Sequence, residues 1–251
     1  MIELKNINKT FGDRNVLNDV SFLFESGKTN LVIGESGSGK TTLLKIMVGL
    51  HQPDVGEVYY NNRSFTSSSD KEKQLIRKEI GMLFQGGALF DSQTVEENIA
   101  FPLDMFTNLT KKEKTDRVNF CLERVNLEGR NKLYPAELSG GMKKRAALAR
   151  AIANQPKYLF CDEPNSGLDP KTSLVIDDLI KDITEDYNIT TVVITHDMNS
   201  VMEIGDKIMF LNKGKMWWKG NKDEVLTTDN KEMLDFIYAS EFMKQLMPKK
   251  N

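Results

Sequence analysis

Residues Gly34, Glu35, Ser36, Gly37, Ser38, Gly39, Lys40, Thr41 and Thr42 fit the spacing G-x-x-x-x-G-K-[ST], a pattern suited to a loop wrapped around phosphate. The apolar run "NLVI" before it reads as a strand and "TTLLKIMVGL" after it as a helix. Glycines let the chain curl with its amide hydrogens inward, where the helix N-terminus adds partial positive charge for a triphosphate. Lys40 is placed to reach the β and γ phosphates, and Thr41 to offer its hydroxyl to Mg²⁺.

The run "YLFCDEP" drives four apolar residues into two carboxylates. A buried strand ending this way delivers Asp162 beside a metal, while Glu163, one residue on, points elsewhere and can hold an attacking water. His196 closes a further apolar run, "TTVVITH", and its place on the next predicted strand makes it a candidate γ-phosphate contact. A second glycine turn, Ser139, Gly140 and Gly141, stands before the basic, alanine-rich "MKKRAALARA". A serine hydroxyl and glycine amides at a helix start form another anion site. One chain therefore carries two phosphate-directed turns.

Several elements must hold these residues. "IELKNI" and "VSFLF" alternate like half-buried strands, and "KIMFLNKGKMWWKG" reads as a hairpin turning at Asn212 to Gly214. From Val95 to Asn154 the signals become helical, with a capping box at Thr110 and Glu113 and apolar spacing at Val118, Cys121, Leu122 and Val125. "KYLFCDEP", a helix patterned by Ile176, Leu179, Ile180 and Ile183, and "ITTVVITHD" then alternate as in a parallel α/β sheet. "SFTSSSDKEK" is expected to be a solvated loop.

The 251 residues suffice for one large domain or one core with an inserted subdomain. With 39% hydrophobic and 28% charged residues the composition is that of a soluble globular protein. A net charge of -2 and a pI near 5.9 give no basic field for nucleic acid, so phosphate specificity must be local. Cys121 and Cys161 lack metal-ligand spacing and are expected to be buried, reduced thiols. No run approaches the length of a membrane helix and the N-terminus lacks the apolar stretch of a signal peptide, so work at a membrane requires another chain as anchor.

Taken in order, the phosphate loop, Gln85 in "MLFQGG", "LSGGM" (Leu138 to Met142), the strand ending at Asp162 with Glu163, the "SGLD" loop and His196 resemble an ATP-binding-cassette ATPase over nearly the whole chain. The resemblance implies an α/β fold of the P-loop NTPase type, with a RecA-like core, an N-terminal antiparallel β subdomain and an inserted helical subdomain. The cassette would span 1–225, its helical insertion about 86–155, and a C-terminal helical tail 226–251. It further implies ATP and Mg²⁺ as ligands and a homodimer packed head to tail, in which Ser139, Gly140 and Gly141 hold the γ-phosphate of the partner's ATP. Gln85 would sense that phosphate and join Thr41 and Asp162 at the metal. Phe11 stands where the family usually places a tyrosine against the adenine.

The run "GALFDSQTVEENIAFPL", Gly87 to Leu103, and the methionine of "LSGGM" are similar to ATPases of the maintenance-of-lipid-asymmetry type. Those act at the cytoplasmic face of the inner membrane with an integral permease and a periplasmic MCE lipid-binding protein, and move phospholipid between membranes. Gln93 and Asn165 depart from the residues usual in that branch. The alternatives are a cassette serving another importer or exporter, or a mechanical ATPase of a cell-division or wall-remodelling complex. No nucleic-acid partner is expected. In the tail, Met233, Phe236, Ile237, Phe242, Met243, Leu246 and Met247 are expected to cover the domain itself or to clamp a partner.

Overall fold

The computed structural model describes residues 1–238; Phe242, Met243, Leu246 and Met247 lie outside them. In chain order the elements are β1 (Ile2–Phe11), β2 (Arg14–Phe24), β3 (Thr29–Ile33), α1 (Lys40–Met47), β4 (Val55–Tyr60), β5 (Arg63–Ser64), α2 (Asp70–Arg77) and β6 (Ile80–Leu83). Next come α3 (Val95–Phe106), α4 (Lys111–Arg124), a short 3-10 turn (Pro135–Glu137), α5 (Gly140–Ile152), β7 (Tyr158–Asp162), α6 (Pro170–Asp186) and β8 (Thr190–Thr195). The described chain ends with α7 (Met198–Ile204), β9 (Lys207–Asn212), β10 (Lys215–Gly220), α8 (Lys222–Val225) and α9 (Lys231–Ile237).

Two sheets form. One is antiparallel in the order β2-β1-β4-β5, and the other runs β10-β9-β3-β8-β7-β6. In the second, β3, β6, β7, β8 and β9 are mutually parallel and β10 returns antiparallel. The parallel strands are apolar on both faces, as a covered sheet requires: all five residues of β3 and all six of β8 are buried. Parallel pairing places the C-terminal ends of β3, β7 and β8 side by side. The phosphate loop, Glu163 and His196 all leave the sheet at that edge, where α/β folds bind ligands.

The helices between β6 and β7 pack on one another through Val95, Ile99, Leu103, Val118, Cys121, Leu122 and the alanine-rich face of α5. Thr94 with Glu97 and Thr110 with Glu113 form capping boxes at the starts of α3 and α4. The expected loop "SFTSSSDKEK" is only partly a loop. Phe65 is buried beneath it, and Ser69 with Glu72 makes a capping box that starts α2. The last serine of that run thus nucleates a helix by occupying its free amides.

The β9–β10 hairpin turns through Lys213 and Gly214, both at positive φ, as a two-residue connection demands. Met233 and Ile237 of α9 are buried and the Phe236 ring lies 5.2 Å from Phe210, so this helix covers its own domain. Both cysteines are free and buried, and burial pushes the Cys121 thiol up to about 11. No helix among the described residues is long and apolar enough to cross a membrane.

Candidate functional site

The phosphate loop joins β3 to α1. Gly34 has φ +149° and a Cβ there would lie 2.1 Å from the Leu211 carbonyl oxygen; Gly39 has φ +110° and a Cβ would meet Leu17 and the Val16 carbonyl at 2.9 Å. Glycine is required at both by backbone and by space. Lys40 is buried, and its Nζ donates to the carbonyl oxygens of Gly34 (2.7 Å) and Glu35 (2.9 Å). Burial lowers the Lys40 pKa, opposed by the carboxylates of Glu163, Asp162 and Glu35. Ser38 Oγ is buried with no hydrogen-bond partner. A buried hydroxyl without a partner and an ammonium bonded only to neutral carbonyls suit an anionic oxygen such as that of phosphate.

At the tip of β7, Asp162 is paired in register with Ile194 of β8. Burial, then the neighbouring Glu163, raise the Asp162 pKa, while Lys40, Lys45 and Lys144 pull it down. A carboxylate kept among three ammonium groups at the end of a buried strand suits a hard cation with few protein ligands. Glu163 turns away through a left-handed backbone, φ +47°, and its N–H donates to the Ile194 carbonyl at 2.9 Å. Its carboxylate meets His196 Nδ1 at 2.9 and 3.0 Å.

Gln85, expected at the metal, uses Nε2 to donate to Ser166 Oγ at 3.2 Å, a bond that does not involve its Oε1. Ser166 N–H in turn donates to the Glu163 carbonyl. Phe11 ends β1 half-exposed, with the His51 ring edge-on at 5.4 Å and Lys9 Nζ 5.2 Å from its centroid. The ring thus retains an open face for stacking. Thr41 is exposed and Thr42 partly so, as are Glu35 and Ser36 at the loop's rim.

The second glycine turn stands apart. Ser139 is the N-cap of α5 and its Oγ accepts from the Met142 N–H at 3.3 Å. Ser139 and Gly140 are exposed, and the neighbours of Gly140 and Gly141 are Leu168 and Thr172. Among the described residues no hydrogen bond joins Ser139, Gly140 or Gly141 to the phosphate loop. Within one chain, then, Lys40, Asp162, Glu163, His196 and Gln85 share an edge, and the serine turn faces solvent.

Three participants escaped the sequence reading. Ser166 meets Gln85. A buried network sets Asn165 Nδ2 at 2.9 Å from both Asp177 Oδ1 and Ser200 Oγ, joining the turn after Glu163 to α6 and α7. Lys144 is buried in α5 and donates to the Gln85 carbonyl and, at 3.4 Å, to that of Glu163. Its signal was readable: Lys144 falls on the same helical face as Gly141, Ala147, Leu148 and Ala151, all buried.

This edge is that of a phosphate-loop nucleotide hydrolase. The family model "ABC transporter" matches residues 17–166. The chain is 38% identical over 98% of its length to the methionine import ATP-binding protein MetN of Campylobacter jejuni, of which it covers 78%. It is 39% identical over 98% of its length to methionine import ATP-binding protein MetN 3 of Shouchella clausii, of which it covers 71%. The ATP-binding cassette MJ0796, solved as a dimer bound to ADP and Pi, matches with a TM-score of 0.80 and 34% identity, covering 88% of this chain and 99% of that one. CbiO1 of Clostridium perfringens, part of the ABC transporter complex cbiONQ, matches with a TM-score of 0.84 and 26% identity over 98% of each chain. The chain belongs to the ABC transporter family, as an ATP-binding subunit with the ABC ATPase fold. It is an ATPase that uses ATP with Mg²⁺.

Proposed function

We propose that this chain is the ATPase of an importer for a small solute of the methionine class, working as a head-to-tail homodimer beneath an integral permease. The observation that carries this reading is the match to methionine import ATP-binding proteins across 98% of the chain. Serving another importer stood among the alternatives in the sequence; the phospholipid assignment and its MCE partner draw no support from these relatives. The lipid reading retains one observation, the wording of Gly87 to Leu103 with Met142.

The chemistry follows from position and charge. Gly34 to Thr42 surround the triphosphate with amides, Lys40 exchanges its carbonyl partners for the β and γ phosphates, and Ser38 gains its missing partner. Mg²⁺, held by Thr41 and Asp162 with Gln85 nearby, would neutralise phosphate charge and fix the geometry of in-line attack. Glu163 orients the attacking water and accepts its proton, while His196 steadies that carboxylate and contacts the γ-phosphate. Ser139, Gly140 and Gly141 complete the site of the partner, and Phe11 stacks on the adenine. The exposed turn and the exposed phosphate edge account for each other only in a two-fold, isologous pair.

A groove of about 390 Å³ runs between the Gln85 loop and α3, lined by Met82, Phe84, Phe90, Phe101, Phe106 and Arg150 among others. Exposed phenylalanines in a concave, mostly apolar patch suit a permease helix. Pull-down in mild detergent from the native membrane tests the assignment. Recovery of a permease with a solute-binding protein, and methionine-stimulated ATPase activity, supports it. A permease with an MCE protein and phospholipid makes the lipid reading right, and a cell-division membrane protein with a wall hydrolase makes the mechanical one right.

A further inference from the structure

Lys144 is a charged group on the buried face of α5, five residues after Ser139. The residue is 6% exposed, and the bonded partners of its ammonium are two backbone carbonyls, those of Gln85 and Glu163. Both carbonyls belong to residues whose side chains serve the hydrolytic edge. Glu163 holds a left-handed backbone, φ +47°, which a residue with a side chain adopts only where its surroundings hold it. Three bonds do so: its N–H donates to Ile194 of β8, and its carbonyl accepts from the Lys144 ammonium and the Ser166 N–H.

Six residues further along α5, Arg150 grips the same loop that Lys144 grips at Gln85. It donates from Nη1 to the Ala88 carbonyl (2.7 Å) and from Nη2 to that of Gly87 (2.8 Å). Ala88 is also at positive φ. The segment from Gln85 to Ala88 is thereby strapped to α5 by two cations, and one of those cations is shared with Glu163. Burial lowers the Lys144 pKa, while Cys161, Asp162 and Glu163 act to keep it charged.

We propose that Lys144 is a positioning residue that ties the Glu163 backbone and the Gln85 loop to α5, the helix whose start faces the partner's nucleotide. It acts through Glu163 on the site built on its own protomer's phosphate loop. This rests on the head-to-tail reading. A rotation of α5 that brings Ser139 to the partner's ATP also moves the anchor of the protomer's own Glu163, so the two sites of a dimer are linked within each chain.

Lys144→Met retains length and apolar stem but deletes the donor, leaving the Gln85 carbonyl without that bond and the Glu163 carbonyl held by the Ser166 N–H alone. The single-turnover hydrolysis rate should fall about ten- to a hundredfold because Glu163 loses its aim, with ADP affinity changed by less than about twofold since Lys40 and the phosphate loop are untouched. Lys144→Arg, which keeps the charge and the donors, should restore most of the rate. An equal fall in both variants, or a wild-type rate in Lys144→Met, overturns the proposal.

Mixed dimers carrying two affinity tags locate the effect. With Lys144→Met on one protomer and Ser139→Arg on the other, both lesions fall on one composite site, and one ATP per dimer should be hydrolysed at the wild-type rate. With both on one protomer, each site carries a lesion and the fast turnover should vanish. The opposite pattern means that Lys144 acts only by presenting the Ser139 turn, and the proposal fails. Lys40→Ala with Ser139→Arg serves as control, being expected to spare one site only when the lesions are on different protomers. Failure of that control sinks the head-to-tail arrangement itself, while the rate and rescue of the uniform Lys144 variants still decide whether Lys144 positions Glu163.

Discussion

His196 Nδ1 lies 2.9 Å from one carboxylate oxygen of Glu163 and 3.0 Å from the other, so the ring holds the carboxylate by both oxygens. The glutamate side chain is largely shielded while the histidine is mostly exposed, at 15% and 66%. An exposed ring braced on a shielded carboxylate leaves Nε2 free to meet a phosphate arriving from solvent, and fixes where the carboxylate can hold water.

Glu163→Gln keeps the shape and a hydrogen-bonding partner for His196 but removes the negative charge that takes the proton. Steady-state ATP hydrolysis should drop about 10²- to 10⁴-fold, the usual contribution of a general base, while ATP still binds. Size-exclusion chromatography with ATP should then show accumulated dimers. Normal turnover by the purified variant would remove Glu163 from the mechanism.

Ser139 serves two roles that one substitution pattern can separate. Its hydroxyl caps α5, so Ser139→Ala should lose about 1 kcal/mol of stability. Ser139→Asp keeps a capping oxygen, and its charge suits a helix N-terminus, so the melting temperature should stay near or above the wild type. The same charge opposes the γ-phosphate of the partner's nucleotide, so hydrolysis should be lost while nucleotide binding persists. Full ATPase activity in Ser139→Asp would place the turn outside the site.

The phosphate loop, Asp162, Glu163 and His196 were legible because each depends on local order: a strand, a short spacing, then a glycine or a carboxylate. The burial of Lys144 was readable from its helical face, but its partners, like the Asn165 network, depend on which helix faces the end of β7, and no local pattern encodes that. Asn165 looked like a departure from a family habit, whereas in the fold its amide bridges Asp177 and Ser200. The helix α2 was missed because its polar surface has no apolar stripe beyond Ile76; only Ser69 and Glu72 announced it. The lipid assignment leaned on the wording of Gly87 to Leu103 and on Met142 alone.

Asp177 is 1% exposed, and burial raises its pKa to about 6, with Asp197 and Asp178 adding to the shift and hydrogen bonds from Ser200 and Asn165 opposing it. A carboxyl raised in the folded state binds more protons there than in the unfolded chain between pH 4 and 6, so its contribution to stability falls as pH rises through that window and is lowest above it. Asp177→Asn keeps the acceptor for Asn165 and removes the titration. Its stability relative to wild type should therefore increase from pH 4 to pH 6 and then level off, by up to about 3 kcal/mol. Thermal melts of both proteins from pH 4 to 8 check this, and a pH-independent difference would show that Asp177 does not titrate there.

The permease contact calls for variants chosen by structure. Glu97 is unsuitable for charge reversal because it closes the capping box of α3 with Thr94, and Glu96 pairs with Lys132. Phe90 and Phe101 are better: their rings lie 4.8 Å apart, both are exposed, and neither contributes to the phosphate edge. Phe101→Asp places a charge in the apolar groove, which an entering helix would have to desolvate. Co-purification with the permease should fall at least tenfold, a loss of about 1.4 kcal/mol or more, while nucleotide affinity and the melting temperature of the isolated protein stay near wild type. Undiminished recovery by both Phe90→Asp and Phe101→Asp would move the permease contact away from the groove between Gln85 and Leu103.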